Sequence, residues 1–565
     1  SPISNFLVIV DEQINHNNGR DTFISYKVHG ILIKNYKYLP QIKIDKQALE
    51  NFTFTLNPKW KLDAIISAGP SNKDRMREVT QLISKKDVIN KNIYAHTGFI
   101  KINDTLVFLY HGGFIGNIED TIEVDLTEDK LQQYCFTEKE FEIQESLQTS
   151  FSILDLADVS ITIPLLATTY LAPLTSLFKE EGINADYILW LEGKTGTRKS
   201  SVTAMILSHF GDFSRNSFPS SFRDTLNSIE KKSFIAKDVI NVIDDYNPEN
   251  LGHKKLDIAE KLFGMYGDRA GRDRMSQDGK TLKSPYIARG QCIVTGESFP
   301  NVAQSRLARA IIVDIEKDSI NLSKLSELQE NKEKLAFCMK KYIEWIIENE
   351  TDIRVYAKDT MKKLQQETEN NTIHGRTNEA VNVMTIGFSM FLNFLQFHDV
   401  IETEQKEELQ KIGHSTLLKV AQKQEQDIND SNPVNMFVSA IEQLYTTNRI
   451  YLKDFNECTK TEYDTILVGY VDNKAGEEGL YYFFPDILYN QIVKFYKEQD
   501  IKFPISKPAL WKYLDVEGYL YKTPKMTRRT VRRQVPNTDN DIPFIAILQE
   551  KMKNIYLKPR MDTIN

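Results

Sequence analysis

The run Gly193-Lys194-Thr195-Gly196-Thr197-Arg198-Lys199-Ser200 lies directly after the apolar stretch Tyr187 to Leu191 and before a helical stretch, and no other feature constrains the fold as tightly. A strand, a glycine-bearing turn and a helix in that order form a phosphate-binding loop. Small residues let successive backbone N–H groups turn toward an anion, a lysine reaches the terminal phosphates, and a hydroxyl meets a divalent cation. Gly193, Gly196, Lys199 and Ser200 supply those parts, with Thr195, Thr197 and Ser201 in the same turn. The usual pattern has a second glycine just before the lysine, where this chain has Arg198. The alternative is a glycine turn that happens to precede a lysine; the strand before and the helix after speak against it.

Further residues extend the site. Val239 to Ile243 is an apolar stretch ending in Asp244-Asp245. A strand ending in two acids suits a metal-orienting carboxylate, Asp244, followed by a water-polarising one, Asp245. The expected ligands are therefore ATP and Mg²⁺, the metal held by Ser200 and Asp244. Another apolar stretch, Gln291 to Thr295, ends in Thr295-Gly296-Glu297, and Thr295 is the candidate for a polar sensor that orients water. Arg306 and Arg309 follow, ahead of the stretch Ala310 to Ile315. An arginine there could reach a neighbouring copy's γ-phosphate and stabilise charge as the phosphoryl group leaves.

Helical stretches alternate with these apolar ones from about Leu154 to Asp314, which predicts a doubly wound α/β core. At 565 residues the chain exceeds a single core. The expected organisation is a strand-rich N-terminal domain over 1–150, an ATPase core over 151–320, a helical lid over 321–430 and a small mixed C-terminal domain over 431–565. Residues 73–84 read as an amphipathic helix with Met76, Val79, Leu82 and Ile83 on its apolar face. Phe99 to Tyr110 reads as a hairpin about Asn103-Asp104. The polar run Glu425 to Pro433 has the composition of a linker.

Composition narrows the partners. With 41% apolar and 26% charged residues the chain is ordinary for a globular protein, and no apolar run reads as approaching the roughly 20 residues of a bilayer span. A membrane is not an expected partner. The start, Ser1 to Asn5, lacks an initiator Met and a basic-then-apolar leader, so it reads as trimmed and the protein as cytoplasmic. Cys135, Cys292, Cys338 and Cys458 form no CxxC pair and read as buried thiols rather than a zinc site. The net charge of -7 requires any nucleic-acid binding to come from local basic patches.

Two such patches stand out. The segment Arg269 to Arg289 carries Arg269, Arg272, Arg274, Lys280, Lys283 and Arg289, with an Asp278-Gly279 turn, and predicts a β-hairpin tipped by cations. Arg272, Arg274, Lys280 and Lys283 are its candidate phosphate contacts. Near the C-terminus a short helix within Lys507 to Leu520 precedes Lys522, Lys525, Arg528, Arg529, Arg532 and Arg533 without an intervening acid. A helix followed by a basic hairpin is the outline of a winged helix whose wing lies along DNA phosphates. A solvated charged surface is the alternative for each.

In this order the pieces resemble a family: the self-loading, MCM-like AAA+ replicative helicases of staphylococcal pathogenicity islands and chromosome cassettes. The resemblance rests on G-K-T-G-T-R-K-S at 193 to 200, V-I-D-D at 242 to 245, the basic hairpin, C-I-V-T-G-E at 292 to 297 and S-R-L-A-R at 305 to 309. Outside the core, H-T-G-F-I-K-I-N-D at 96 to 104 looks like the domain of unknown function found in these helicases. The resemblance implies an AAA+ ATPase with a helical lid, assembled as a homo-oligomeric ring, in these families a hexamer. It implies translocation on single-stranded DNA, unwinding of double-stranded DNA, and recognition of a mobile element's replication origin by the C-terminal domain. It further suggests that Arg376, opening the stretch Arg376 to Ala380, is similar to the lid's second sensor arginine. MCM helicases tolerate a non-glycine residue at the position of Arg198.

A rival reading is a non-translocating, ATP-gated DNA-binding protein, motivated by Arg198 and by Asp245 where many such ATPases have glutamate. A primase-helicase fusion would require a metal-binding acid pair on a strand before residue 150, and none is evident.

Overall fold

Four apolar strands readable from the sequence, joined by a two-residue polar strand, assemble into one parallel sheet, and this sheet positions everything that follows. The computed structural model describes residues 2–119, 122–126, 129–247, 252–271, 274–275, 282–283, 285–300, 304–368, 373–430, 432–455, 465–473, 479–499, 501, 503–522, 528–535, 540–552 and 557–559. The chain divides into two compact units, Ser1–Gln424 and Glu425–Asn565.

The first unit begins with β1 (Phe6–Asn17), β2 (Thr22–Leu32), β3 (Tyr38–Asp45), β4 (Ile89–Tyr94), β5 (Gly98–Ile102), β6 (Thr105–Tyr110), β7 (Gly113–Ile115) and β8 (Ile122–Val124). One sheet runs β3-β2-β1-β4-β8, and β5, β6 and β7 form a separate meander. Asn103 and Asp104 both have positive φ, 47° and 63°, as a two-residue hairpin turn requires, and Ile102 pairs with Thr105 across it. The helix Asn72–Ser84 forms as expected but turns a different face inward. Met76, Thr80 and Ser84 are buried at a four-residue spacing, while Leu82 is 68% exposed. The Ser84 hydroxyl accepts from the Val10 N–H (2.9 Å) beside an irregularity in β1, so a hydrogen bond sets the helix's rotation against its apolar pattern.

The core sheet contains β9 (Ile188–Glu192), β10 (Ser220–Ser221), β11 (Ile240–Tyr246), β14 (Gln291–Gly296) and β15 (Ala310–Asp314). Between β11 and β14 lies the small hairpin of β12 (Arg274–Met275) and β13 (Leu282–Lys283). The order is β10-β11-β14-β9-β15, and every pairing is parallel. Ile188, Leu189, Trp190 and Leu191 are wholly buried. Each of the three aliphatic side chains, Ile188, Leu189 and Leu191, contributes about 2 kcal/mol relative to exposure, which anchors the loop that follows β9.

Two helices carry long apolar stretches, contrary to the expectation that none approaches membrane-spanning length. Val159–Glu180 and Gly375–Phe397 are long and apolar enough by composition, and 94% and 83% of their apolar windows are buried inside the unit. The chain spends this apolar surface on its core: Gly387 on the second helix lets Ala167 and Leu171 of the first come close, since a Cβ there would fall 2.5 Å from the Ala167 carbonyl oxygen. The expected linker also differs. Helix Thr403–Asp430 runs through residues 425–430, where Glu425 and Gln426 are good helix formers and the helix continues into Asp427 to Asp430 before Pro433. Cys135 is exposed rather than buried, Cys292 and Cys338 are buried, and Cys458 lies outside the described residues.

The second unit opens with helix Pro433–Thr446, capped by the Asn432 side chain on the Val434 N–H. It continues with β16 (Ile450–Asp454), β17 (Ile466–Asp472) and β18 (Leu480–Phe483), helices Pro485–Lys497 and Lys507–Val516, and then β19 (Val531–Gln534) and β20 (Asp541–Leu548). The sheet order is β16-β17-β18-β20-β19, so the helix Lys507–Val516 is followed by an antiparallel hairpin whose second strand is shared with the larger sheet.

Candidate nucleotide site and arginine cluster

The loop after β9 is tied down at its start: the Gly193 N–H donates to the Gly296 carbonyl (3.1 Å) at the end of β14. A Cβ at Gly193 would fall 2.3 Å from the Ile315 carbonyl oxygen, so the position demands glycine. Gly196 has φ +92°. Arg198, the departure from pattern, has φ +70° and ψ 11° and stands immediately before helix Lys199–Leu207. The backbone therefore keeps the left-handed conformation that suits glycine, and the arginine bears a strain of roughly 1–3 kcal/mol. Thr197 Oγ1 donates to the Lys194 carbonyl (2.9 Å), which makes its side chain a brace for the loop. Lys199 Nζ curls onto the Gly193 and Lys194 carbonyls. Burial lowers its pKa, against the opposing pull of Glu297, Asp244, Asp245 and Glu192.

The two acids sit in a bulge. Ile243 pairs with Val294 and Tyr246 with Gly296, so Asp244 and Asp245 together oppose the single residue Thr295. Bulges re-aim side chains at strand ends, and here Asp245 takes φ +70°. Thr295 fills the irregularity: its hydroxyl donates to Asp244 Oδ1 (2.5 Å) and accepts from the Asp245 N–H (3.2 Å). The Ser200 hydroxyl donates to the same Asp244 oxygen (3.1 Å). Burial, aided by the charge of Asp245, raises the Asp244 pKa above the usual range despite these hydrogen bonds. The Asp245 carboxylate meets Arg223 Nη2 (3.2 Å), with its side chain 49% exposed.

A cleft of about 290 Å³ is lined by Thr195, Gly196, Arg198, Lys199, Ser200 and Ser201 from the loop side and by Asp244, Asp245, Thr295 and Glu297 from the strand ends. Arg215 and Tyr246 complete it. Backbone N–H groups at a helix start, a lysine and a hydroxyl beside a buried carboxylate fit a polyphosphate with its divalent cation, which Ser200 and Asp244 would hold. A larger cavity of about 780 Å³ lies among helices near Trp345, Tyr356 and Phe397 and has no such set of groups. Among the described residues no cluster of His, Cys, Asp and Glu forms a separate metal site.

Sequence reasoning quoted Glu297 only as part of a motif and overlooked Arg215 and Arg223. Glu297 is the substantive omission, because its carboxylate accepts from the Thr195 hydroxyl and from Asn247 Nδ2 (2.7 Å). Its position directly after a strand-end glycine was the available signal.

Neither of the two candidate trans-acting arginines, Arg306 and Arg309, nor the candidate lid sensor Arg376 lines the cleft. Instead all converge on Asp268, just past helix Gly252–Gly267: Arg376 Nη1 at 2.6 Å, Arg309 Nη2 at 2.7 Å and Arg306 Nη1 at 3.9 Å. Arg309 is 12% exposed in its side chain, Arg306 39% and Arg376 46%. Burial raises the Asp268 pKa, but hydrogen bonds and charge from Arg309 and Arg376 outweigh it and leave the carboxyl below its usual range.

The basic patches are partly consumed by the fold. In the core hairpin Arg274 pairs with Lys283 across the two strands, as the sequence predicts, whereas Arg272 and Lys280 lie outside the described residues. Arg269 binds Asp186 (2.9 Å) and the carbonyls of Ala185, Ala288 and Gly290. Arg289 stacks on Phe234 (3.6 Å) and donates to the Asn18, Gly19 and Phe234 carbonyls; burial lowers its pKa to about 10. In the second unit, Lys522 and Arg529 share Asp515, and Arg533 pairs with Asp472 (2.7 Å) over the rings of Phe455 and Tyr482. The acid-free run thus receives its acids from elsewhere in the chain, while Arg528 and Arg532 are exposed and Lys525 lies outside the described residues.

A parallel sheet of this order, with a glycine-bearing loop between the interior strand β9 and a helix, defines an α/β protein. Over nearly its whole length the chain shares the fold of a solved helicase, the SCCmec type IV Cch active helicase, with a TM-score of 0.56 at 11% identity, covering 98% of this chain and 96% of that one. A JCV helicase bound to a small organic molecule gives a TM-score of 0.21 at 13% identity over 44% of this chain and 74% of that one, and no argument rests on it. No protein-family model matches the chain, and no curated protein sequence matches it.

Proposed function

We propose that this protein is an ATP-driven DNA helicase of the AAA+ kind that works as a ring of identical copies and starts replication of a mobile element at its origin. The observation that carries this is the separation of two half-sites on one chain: the loop cleft holds Lys199, Ser200 and Asp244, while Arg306, Arg309 and Arg376 gather on Asp268 away from its lining. A second copy brings such a cluster to the first copy's cleft, and a ring does so for every copy. Bound Mg²⁺ supplies charge neutralisation at the terminal phosphates. Arg306, more exposed than Arg309 and only loosely paired, is the finger, and Arg309 is its brace. The hairpin of β12 and β13 carries the cations for single-stranded DNA, and the helix Lys507–Val516 with the β19–β20 hairpin acts as a winged helix on duplex DNA. The fold shared with the Cch helicase supports the class.

Strand displacement on a forked DNA substrate tests this. Lys199→Ala should abolish it, and an equimolar mixture of Lys199→Ala and Arg306→Ala chains should recover part of the ATPase activity through mixed interfaces. Full displacement by Lys199→Ala would overturn the proposal. The exposure of Asp245 favours a second reading, an ATP-gated DNA-binding protein; DNA-stimulated ATP turnover decides against it.

A further inference from the structure

Resting on the reading of the cleft as an ATPase site, we infer that Glu297, rather than Asp245, is the carboxylate that polarises the attacking water. Glu297 follows Gly296, whose carbonyl accepts from the first N–H of the phosphate-binding loop, and its own N–H donates to the Tyr246 carbonyl (2.9 Å). The side chain is held on both oxygens, by the Thr195 hydroxyl on the loop and by Asn247 Nδ2. Its carboxylate, held by Thr195 of the loop, lies along the same edge of the cleft as Lys199, the lysine placed to reach the terminal phosphates.

Two anions cannot share that edge in direct contact. A water between them can donate one proton to the Glu297 carboxylate while its oxygen faces the γ-phosphorus. In the step, that oxygen bonds to phosphorus as the bond from phosphorus to the ADP oxygen breaks. The ADP oxygen leaves with the electron pair, and the water's proton passes to Glu297 and then to solvent. Asp245 is unsuited: the bulge turns its backbone to positive φ, its carboxylate meets Arg223, and its side chain is half exposed. Thr295 is likewise engaged with Asp244 and serves as a positioning residue for the metal-side acid.

The test uses the full chain with DNA, comparing Glu297→Gln, Asp245→Asn and wild type for binding of a fluorescent ATP analogue and for single-turnover ATP hydrolysis across pH. Glutamine keeps the size of the side chain and one acceptor oxygen, for Asn247 Nδ2, while its amide N–H can donate to the Thr195 hydroxyl, and it removes the basic charge. Glu297→Gln should bind the analogue within threefold of wild type, hydrolyse ATP on the order of 100-fold more slowly, and lose the acidic limb of the pH–rate profile, with Asp245→Asn slowed less than tenfold. Hydrolysis by Glu297→Gln within fivefold of wild type would overturn the assignment. So would equal loss of binding and hydrolysis, or a loss in Asp245→Asn as deep as in Glu297→Gln. A wild-type chain that binds the analogue and never hydrolyses ATP defeats the ATPase reading itself, a result distinct from these.

Discussion

Arg376 Nη1 stands 2.6 Å from Asp268 Oδ1 although 108 residues separate them, and Arg309 reaches the same oxygen. One carboxylate thus gathers three guanidiniums from two parts of the chain, leaving an excess of positive charge suited to an incoming anion. The members differ in burial, so they should differ in what they do for the fold. Arg309→Ala should destabilise by about 1–2 kcal/mol, and Arg306→Ala by no more than about 0.5 kcal/mol, while removing hydrolysis. Urea denaturation run beside an ATPase assay separates the two effects; the reverse ranking would exchange brace and finger.

Arg198→Gly should stabilise the chain by about 1 kcal/mol. The left-handed backbone costs arginine more than the extra unfolded-state freedom costs glycine. A shift of the denaturation midpoint to higher urea is the expected result. A lower midpoint would mean that the arginine side chain contributes more to the folded loop than the strain removes.

Thr295→Val should uncouple the bulge from the metal-side acid. It leaves the Asp245 N–H without its acceptor and Asp244 with one hydroxyl donor instead of two, at a cost of about 1–3 kcal/mol. Mg²⁺ titration of nucleotide binding should weaken in the valine variant and recover in Thr295→Ser. Equal behaviour of the two would remove the hydroxyl from the account.

Acid should loosen the first unit before its carboxylates titrate. Burial holds the pKa of His96 down at about 3 and that of His209 at about 4. Both are depressed, so the unfolded chain takes up protons at about 6.5 while the folded chain does not. The stabilisation is complete above pH 6.5 and falls as pH drops toward 4 for His209 and 3 for His96. At pH 5 each accounts for a loss of about 2 kcal/mol. Denaturation at pH 7.5 and 5.0 measures this, and His209→Gln should shrink the difference; an unchanged difference would exclude His209 as a source.

Much of the core was legible because short apolar strands with polar ends carry their own signal. Tyr187 to Leu191 and Gln291 to Thr295 needed no tertiary context, and neither did the Asn103-Asp104 turn. What could not be read depended on contacts remote in sequence. Leu82 and Ile83 marked the helix face by periodicity, yet the Ser84 hydroxyl set its rotation through Val10. The basic run after Tyr521 contains no acid, but Asp472 and Asp515 meet it in space. Asp244 and Asp245 are adjacent letters, and only the bulge reveals that they meet different partners. Arg198 looked like a missing glycine until its backbone angle showed the conformation retained and the residue strained.

The placement of Arg269 and Arg289 bears on what a salt titration would count. Six cations span the hairpin segment, but these two are committed to carbonyl oxygens, Asp186 and the Phe234 ring. A cation already engaged in this way has little counterion to displace from a nucleic acid. On the proposed reading, the hairpin's contribution to the log–log slope of single-strand affinity against salt is therefore capped by four charges, at roughly 3 per copy. The two engaged guanidiniums instead tie both ends of the segment to the core, Arg269 through Asp186 and the Gly290 carbonyl and Arg289 through the Phe234 carbonyl.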